Sequence, residues 1–127
     1  MFEKLELTRM AQALASHSGA RMGVIARNVA HADTPGYKAQ DLPQFSVAFE
    51  ESGQSMRATK AGHFAAASFT ADMQTETAPG REAPNGNTVS LEGEMVKSVA
   101  ARQSHEMALA VYRATSDVIR ASLGRPR

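Results

Sequence analysis

The four histidines are the residues best suited to metal binding, but none of them is spaced for it. His17, His31, His63 and His105 lie far apart, and the pattern His-Glu-x-x-His is absent. A zinc site on a helix needs two ligands on one face, three or four positions apart. Cysteine is also absent, which excludes thiolate ligands, Cys nucleophiles and disulfides. We therefore expect no metal ion and no cofactor.

Residues suited to acid–base or nucleophilic chemistry occur only as sequence neighbours. Ser16-His17-Ser18 and Glu50-Glu51 are such groups. Neighbouring side chains do not converge on a reacting atom unless a fold brings them together. The phosphate-binding pattern Gly-x-x-x-x-Gly-Lys-Ser/Thr is missing as well. The sequence thus predicts that the chain is not an enzyme and has no small-molecule substrate.

Size and composition limit the remaining possibilities. The chain has 127 residues, 6% of them aromatic and none of them Trp, so one domain with a thin core is expected. The net charge is +1 and no basic stripe is present, which disfavours nucleic acid and anionic membranes as partners. No apolar run resembles a secretory signal or approaches the ~20 residues of a membrane span.

The first segment has the apolar period of one long helix, over about residues 3–32. Thr34-Pro35 should end it, because a residue before proline is pushed out of the helical region, and Pro35-Gly36 suits the centre of a type II turn. Gly19 and Gly23 are either a notch for a neighbouring helix or tolerated weak points. The apolar stripe consists of Leu7, Ala11, Leu14, Ser18, Met22, Ile25, Val29 and Ala32.

The middle of the chain, residues 35–89, lacks a long period. The alternation of Phe45, Val47 and Phe49 predicts a short strand. Gly and Pro residues punctuate the rest, and a loop is expected at residues 77–88. This pattern predicts an extended arm with short β pieces.

The last segment predicts a second long helix, over about residues 91–123. Ser90 is a candidate N-cap, Glu92 suits the positive first turn, and Gly124 can cap the end. Its stripe consists of Val96, Val99, Gln103, Met107, Ala110, Ala114, Val118 and Ala121.

These patterns predict a mainly α fold. Two long terminal helices, within residues 1–34 and 90–127, should pack as a coiled-coil-like pair joined by the middle arm. One helix pair leaves much of each stripe uncovered, so the stripes should serve both as the intramolecular seam and as an assembly interface. The interface residues predicted on this ground are Leu7, Leu14, Met22, Ile25, Val29, Val96, Val99, Met107, Ala110, Ala114 and Val118.

The turn after the first helix carries a recognisable pattern. The run from Asn28 to Lys38 resembles the signature of the bacterial flagellar rod, hook and hook-associated axial proteins, in which an Asn-(Leu/Ile/Val)-Ala-Asn block precedes Thr-x-Gly-Tyr-Lys. His31 departs from it, since Asn is usual there. The signature residues are Asn28, Ala30, Asp33, Thr34, Pro35, Gly36, Tyr37 and Lys38.

Two further segments strengthen this resemblance. Residues 84–95 resemble Pro-x-Gly-Asn-x-Val-x-Leu-x-x-Glu-Met, the pattern that precedes and begins the C-terminal helix of proximal-rod proteins. Thr59-Lys60-Ala61-Gly62-His63 is similar to a Thr-x-x-x-His pattern of the B-type proximal rod subunits. The short middle and the Asp-Thr-Pro-Gly-Tyr-Lys-Ala run favour the B type over the C type.

The resemblance implies a structural subunit of the flagellar basal-body rod, the shaft that crosses the periplasm and transmits torque. It implies export by the flagellar type III apparatus without a cleaved signal peptide. The implied partners are other rod proteins, copies of this chain, the basal-body adaptor protein, and the membrane ring or export gate. The alternative is a helical-hairpin adaptor that binds a partner protein in the cytoplasm.

Overall fold

Two long helices from opposite ends of the chain form the body of the protein. The computed structural model describes residues 2–53 and 74–124, with side chains described for residues 6–49 and 74–124. The elements are α1 (Phe2–Ala30), β1 (Gln40–Asp41), α2 (Phe45–Gly53), β2 (Glu76–Thr77) and α3 (Leu91–Ser122). Helices α1 and α3 pack against each other, and short strands lie between them in sequence. The predicted mainly α fold is therefore confirmed.

Helices α1 and α3 run antiparallel. Asn28, near the end of α1, bonds Glu94 at the start of α3, whereas Ala15 in the middle of α1 bonds His105 further along α3. Residue numbers thus fall along one helix as they rise along the other. The Thr34 turn and the start of α3 consequently lie at the same end of the helix pair.

Small residues repeated every seven positions line the seam between the two helices. On α1 the buried residues Ala11, Ser18 and Ile25 have this spacing. On α3 the buried residues are Glu94, Ala101, Ala108 and Thr115. A seven-residue repeat is the period of coiled-coil packing, and small side chains let the two backbones approach closely. The seam is therefore coiled-coil-like, as predicted, but poor in large apolar groups.

The predicted ends of α3 are confirmed. The Ser90 hydroxyl oxygen accepts a hydrogen bond from the Gly93 N–H at 3.3 Å, which satisfies one of the free donors of the first turn. Gly124 follows the helix with φ of +82°, the left-handed conformation that commonly ends a helix.

The strand predicted at Phe45, Val47 and Phe49 is wrong, because these residues lie in helix α2. Phe45 and Phe49 are four residues apart and their ring centroids are 5.4 Å apart, as neighbours on one helix face. Phe45 also contacts the His17 ring edge-on, at 5.6 Å. A short apolar run fits both periods, and here packing of one face against α1 decides for the helix.

The arm also contains a small antiparallel sheet. Gln40 of β1 pairs with Thr77 of β2, and Asp41 pairs with Glu76. The Ala78 N–H extends the pairing by donating to the Ala39 carbonyl at 2.8 Å. Three apolar side chains are buried around it: Ala39, Leu42 and Ala78. No helix in the described part of the chain is long and apolar enough to cross a membrane. The motif at residues 59–63 lies outside the described residues.

Candidate functional site

The signature turn reverses the chain directly after α1. The Tyr37 N–H donates to the Thr34 carbonyl at 3.3 Å, closing a four-residue turn around Pro35 and Gly36. Gly36 has φ of +72°, as expected for the third position of a type II turn. The positive φ predicted for this glycine is confirmed, and an L-residue would be strained there.

The loop before α3 docks onto this turn, although about fifty residues separate them in sequence. The Gly36 N–H donates to the Asn85 carbonyl at 2.9 Å, and the Thr88 N–H donates to the Tyr37 carbonyl at 3.1 Å. Gly86 has φ of +81°, and a side chain built there would stand 3.4 Å from the Gly36 Cα atom. The two segments that carry the resemblance therefore form one structural unit.

Asn87 joins this loop to the end of α1. Its side-chain amide lies within hydrogen-bond distance of three carbonyl oxygens, those of His31 (2.9 Å), Ala32 (2.8 Å) and Thr34 (2.8 Å). Its own oxygen accepts from the Val89 N–H at 2.7 Å. The last carbonyls of a helix lack partners within the helix, and this side chain supplies them. We call this set of bonds the Asn87 clamp.

Asn28 is the centre of a second set of polar contacts and is 0% exposed. Its amide group donates to the Gln40 carbonyl at 2.6 Å and to the Glu94 carboxylate at 3.0 Å. Its oxygen accepts from the Tyr37 hydroxyl at 3.2 Å and from the Gln40 N–H at 3.1 Å. All four hydrogen-bonding positions of the amide are used. Asn28 thus ties α1 to α3 and to the arm at one point.

Charged side chains extend from Asn28 into a closed network that we call the polar ring: Arg21, Asn28, Asp41, Glu94 and Lys97. Arg21 donates two bonds of 2.8 Å to the Asp41 carboxylate. Lys97 lies 3.6 Å from the same carboxylate and 2.9 Å from that of Glu94, which is buried. The two positive and two negative charges balance. The ring therefore joins α1, β1 and α3 without an unpaired charge.

The ring changes the acid–base properties of two of its members. Burial by itself would raise the pKa of Asp41. The hydrogen bonds from Arg21 and from the Leu42 N–H, with the charges of Arg21 and Lys97, outweigh burial and hold the pKa of Asp41 below its usual range. The same hydrogen bond raises the pKa of Arg21, against the effect of burial. Both groups are thus stabilised in their charged forms.

The signature residues divide into two groups. Asn28 is buried and Tyr37 is half-buried, and the Tyr37 ring stacks on His31 with centroids 4.7 Å apart. Lys38 bonds the Gly86 carbonyl and the Glu82 carboxylate, both at 3.1 Å. The other signature residues are exposed: Ala30, Asp33, Thr34, Pro35 and Gly36. The arm junction, our name for the signature turn with the loop at 85–88, the Asn87 clamp and the polar ring, is therefore a structural joint.

The predicted packing of the α3 stripe against α1 is wrong. Its members Val96, Val99, Met107 and Val118 are 47–71% exposed, and Ala110 and Ala114 are exposed too. At 3.6 residues per turn they lie roughly 180° from Ala101 and Ala108, which contact the seam. We call these six residues the outer face. Small residues made the seam, so the stronger apolar pattern marked the opposite side of α3.

The α1 stripe lies partly on the seam. Ile25 is buried, and Leu14 and Met22 are half-buried. Leu7 and Val29, however, are exposed. Their role in assembly remains a prediction, as it does for the outer face.

Two of the histidines serve as hydrogen-bond donors between elements. The Nε2 atom of His17 donates to the Pro43 carbonyl at 2.8 Å, and the Nδ1 atom of His105 donates to the Ala15 carbonyl at 3.1 Å. His17 is buried, and its ring packs against α2. These rings fasten α2 and α3 to α1.

The remaining groups considered for chemistry are not gathered into a site. His31 lies in the turn, with Nδ1 3.2 Å from the Thr34 hydroxyl oxygen. Among the residues that the structure describes, no three His, Asp or Glu side chains lie close enough to hold a metal ion. His63 and the side chains of Glu50 and Glu51 lie outside the described set.

Sequence reasoning missed several residues that make the arm junction. Asn87 and Glu94 lie within the motif at residues 84–95, but nothing in their spacing indicated the groups they bond. Arg21, Asp41 and Lys97 carried no signal. Comparisons of the chain with protein-family models and with curated proteins found no match.

Proposed function

We propose that the chain is a structural subunit of the bacterial flagellar basal-body rod, of the proximal and B-type kind. In this proposal it polymerises with other rod proteins and with copies of itself into the shaft that crosses the periplasm and transmits torque. It contacts the basal-body adaptor and the membrane ring or export gate. It reaches the rod by flagellar type III export without a cleaved signal, and it has no catalytic activity, cofactor, nucleic-acid partner or small-molecule substrate.

The exposed outer face of α3 is the observation that carries the assembly part of the proposal. It extends from Val96 to Val118, which is about 33 Å along a helix. Soluble monomers seldom expose a continuous apolar surface of this length, and such surfaces mark sites of association. Because the opposite side of α3 is occupied by α1, the outer face is available for another chain.

The rod part of the proposal depends on the resemblance and is supported by the arm junction. Asn28, Gly36, Tyr37 and Glu94 are residues of the rod-like motifs, and all of them contribute to one joint between helix and arm. A motif that builds a joint fits a structural protein better than an enzyme. The alternative, a cytoplasmic helical-hairpin adaptor, would use the same outer face for a different partner.

The test is incorporation of an Ala114→Asp variant into basal bodies. The bacterium that encodes this chain would be deleted for the gene and complemented with tagged variants. Ala114 is exposed, so the single chain should tolerate the change, whereas a subunit interface would bury an unpaired carboxylate. We expect normal variant levels in whole cells, at least a tenfold loss from purified basal bodies, and loss of swimming.

The matched control is Arg113→Asp, which introduces the same side chain one residue away. Arg113 is exposed and lies on a charged strip of α3 with Arg102, Glu106, Asp117 and Arg120. It should retain incorporation. Absence of the wild-type chain from basal bodies, with normal swimming of the deletion strain, would favour the adaptor. Normal incorporation of Ala114→Asp would instead remove the outer face from the interface.

A further inference from the structure

The helix seam by itself does not define how far α3 is displaced along α1. Its small residues repeat every seven positions on both helices, as Ala11 and Ser18 on α1 and as Ala101 and Ala108 on α3. A displacement of seven residues, about 10 Å, therefore places small side chains against small side chains again. The apolar seam distinguishes such registers only weakly.

The polar ring breaks this repetition because it occurs at one position only. In the observed register Asn28 faces Glu94, and Lys97 reaches both Glu94 and Asp41. After a seven-residue displacement, the Asn28 amide and the Glu94 carboxylate would lose each other. A buried amide or carboxylate without a partner is costly, so displaced registers are penalised.

We infer that the polar ring selects the register of the α1–α3 pair and is not the source of its stability. Buried charged networks are often no more stabilising than well-packed apolar residues of similar volume. A single buried polar pair can nevertheless fix the register of a coiled coil, because every alternative register leaves it unsatisfied. The ring fits this role, since its charges balance and all four positions of Asn28 are used.

The Asn87 clamp is the other structure able to fix the register, because α3 begins at Leu91, four residues later. The experiment therefore starts from an Asn87→Ala chain, in which the clamp is removed and the polar ring is intact. A second chain adds Asn28→Leu and Glu94→Met, which replace the centre of the ring by apolar groups of similar size. A third adds Glu94→Gln alone, which retains an acceptor for Asn28.

Register is read from the distance between two spin labels in the full chain. The protein has no cysteine, so labels attach only at Gln12→Cys and Arg120→Cys, whose native side chains are exposed. Because Ala15 lies opposite His105, the two labels are offset by about 18 Å along the helix axis. A seven-residue displacement changes that offset by about 10 Å. All samples contain the same concentration of trimethylamine N-oxide to favour the compact state.

We expect one narrow distance for Asn87→Ala and for its Glu94→Gln derivative. The chain that also carries Asn28→Leu and Glu94→Met should give at least two distances separated by about 10 Å, with a urea midpoint equal to or above that of Asn87→Ala. A single distance in that chain would overturn the role in register. A lower midpoint, or loss of helix, would show that the ring contributes stability instead. Several distances for Asn87→Ala would assign the register to the clamp.

Discussion

The two ends of the helix pair are held by different kinds of interaction. At the arm junction, buried polar groups of Asn28, Glu94 and Asn87 bond across three segments of the chain. Further along, small residues such as Ala11, Ala108 and Thr115 make the seam, and α3 keeps its apolar outer face exposed. One end is thus complete within a single chain, whereas the other retains surface for neighbours.

This difference predicts how sensitive each end is to substitution. A satisfied buried network loses several bonds when one member is removed, and the groups left behind remain without partners. An alanine seam gains little from each residue, since a buried methylene contributes only about 0.8 kcal/mol. Substitutions at the arm junction should therefore be costly, and those on exposed positions of the helices nearly neutral.

The largest effect is expected for Asn28→Ala. It leaves the Glu94 carboxylate, the Gln40 backbone groups and the Tyr37 hydroxyl without their shared partner. Breaking a buried polar contact with a charge costs roughly 3 kcal/mol or more, so the free energy of unfolding should fall by about that much. Urea titration measures it, with the exposed Gln12→Ala as control. A loss as small as that of the control would mean that water replaces the amide and that the junction is not tightly held.

Asp41→Asn should have the next largest effect, about 2 kcal/mol, because it removes charge-assisted bonds from Arg21. Asp41 also predicts a pH dependence. Its pKa is lowered in the folded chain, so its contribution is present above the unfolded pKa of about 3.9 and is lost as the pH falls through the folded pKa. The variant should lack that part of the acid destabilisation.

Urea midpoints of both proteins at a series of pH values below neutrality measure this term. Glu106→Gln is the control, because the Arg102–Glu106 ion pair on α3 is largely exposed and contributes little. If Asp41→Asn and the parent lost stability equally on acidification, the Arg21 ion pair would not be stabilising in solution.

Gly36→Ala should cost about 1 to 2 kcal/mol, since the turn holds this residue at φ of +72°. Gly124 has nearly the same φ, +82°, but follows the last turn of α3. The end of a helix can fray and relieve the strain, so Gly124→Ala should cost much less. Thermal unfolding of the two variants compares the ends of the molecule at equal backbone strain. Equal losses would show that the far end of α3 is as firmly held as the arm junction.

The sequence predicted the parts of the fold that depend on local rules. The α3 N-cap at Ser90, the turn at Gly36 and the extent of both helices follow from backbone preferences that act over a few residues. The partner of the Tyr37 hydroxyl was expected in kind but not by name. Which amide it bonds depends on how α1 and the arm come together, and no short-range pattern encodes that.

The side of α3 that faces α1 could not be predicted from its apolar period. Val99, Met107 and Val118 outweigh Ala101 and Ala108 in hydrophobicity, so a moment points toward the outer face. In a chain that folds alone, that face would be the core. Here the contrary arrangement indicates that the more apolar side of α3 is reserved for contacts between chains, which agrees with the proposed function.

The smallest effect, and one of opposite sign, is expected for Gly23→Ala. Gly23 is exposed within α1, and an added Cβ atom would have no neighbour within 4 Å in the described structure. Alanine should therefore raise the free energy of unfolding by about 0.5–1 kcal/mol, because glycine has more backbone freedom to lose. The same variant distinguishes the two explanations left open for this glycine. If it is only a weak point, incorporation into basal bodies should be unchanged; if it is a notch for a neighbouring helix, the stabler chain should incorporate less. A decrease in stability would contradict both, because it would require a contact inside the single chain that α1 does not make.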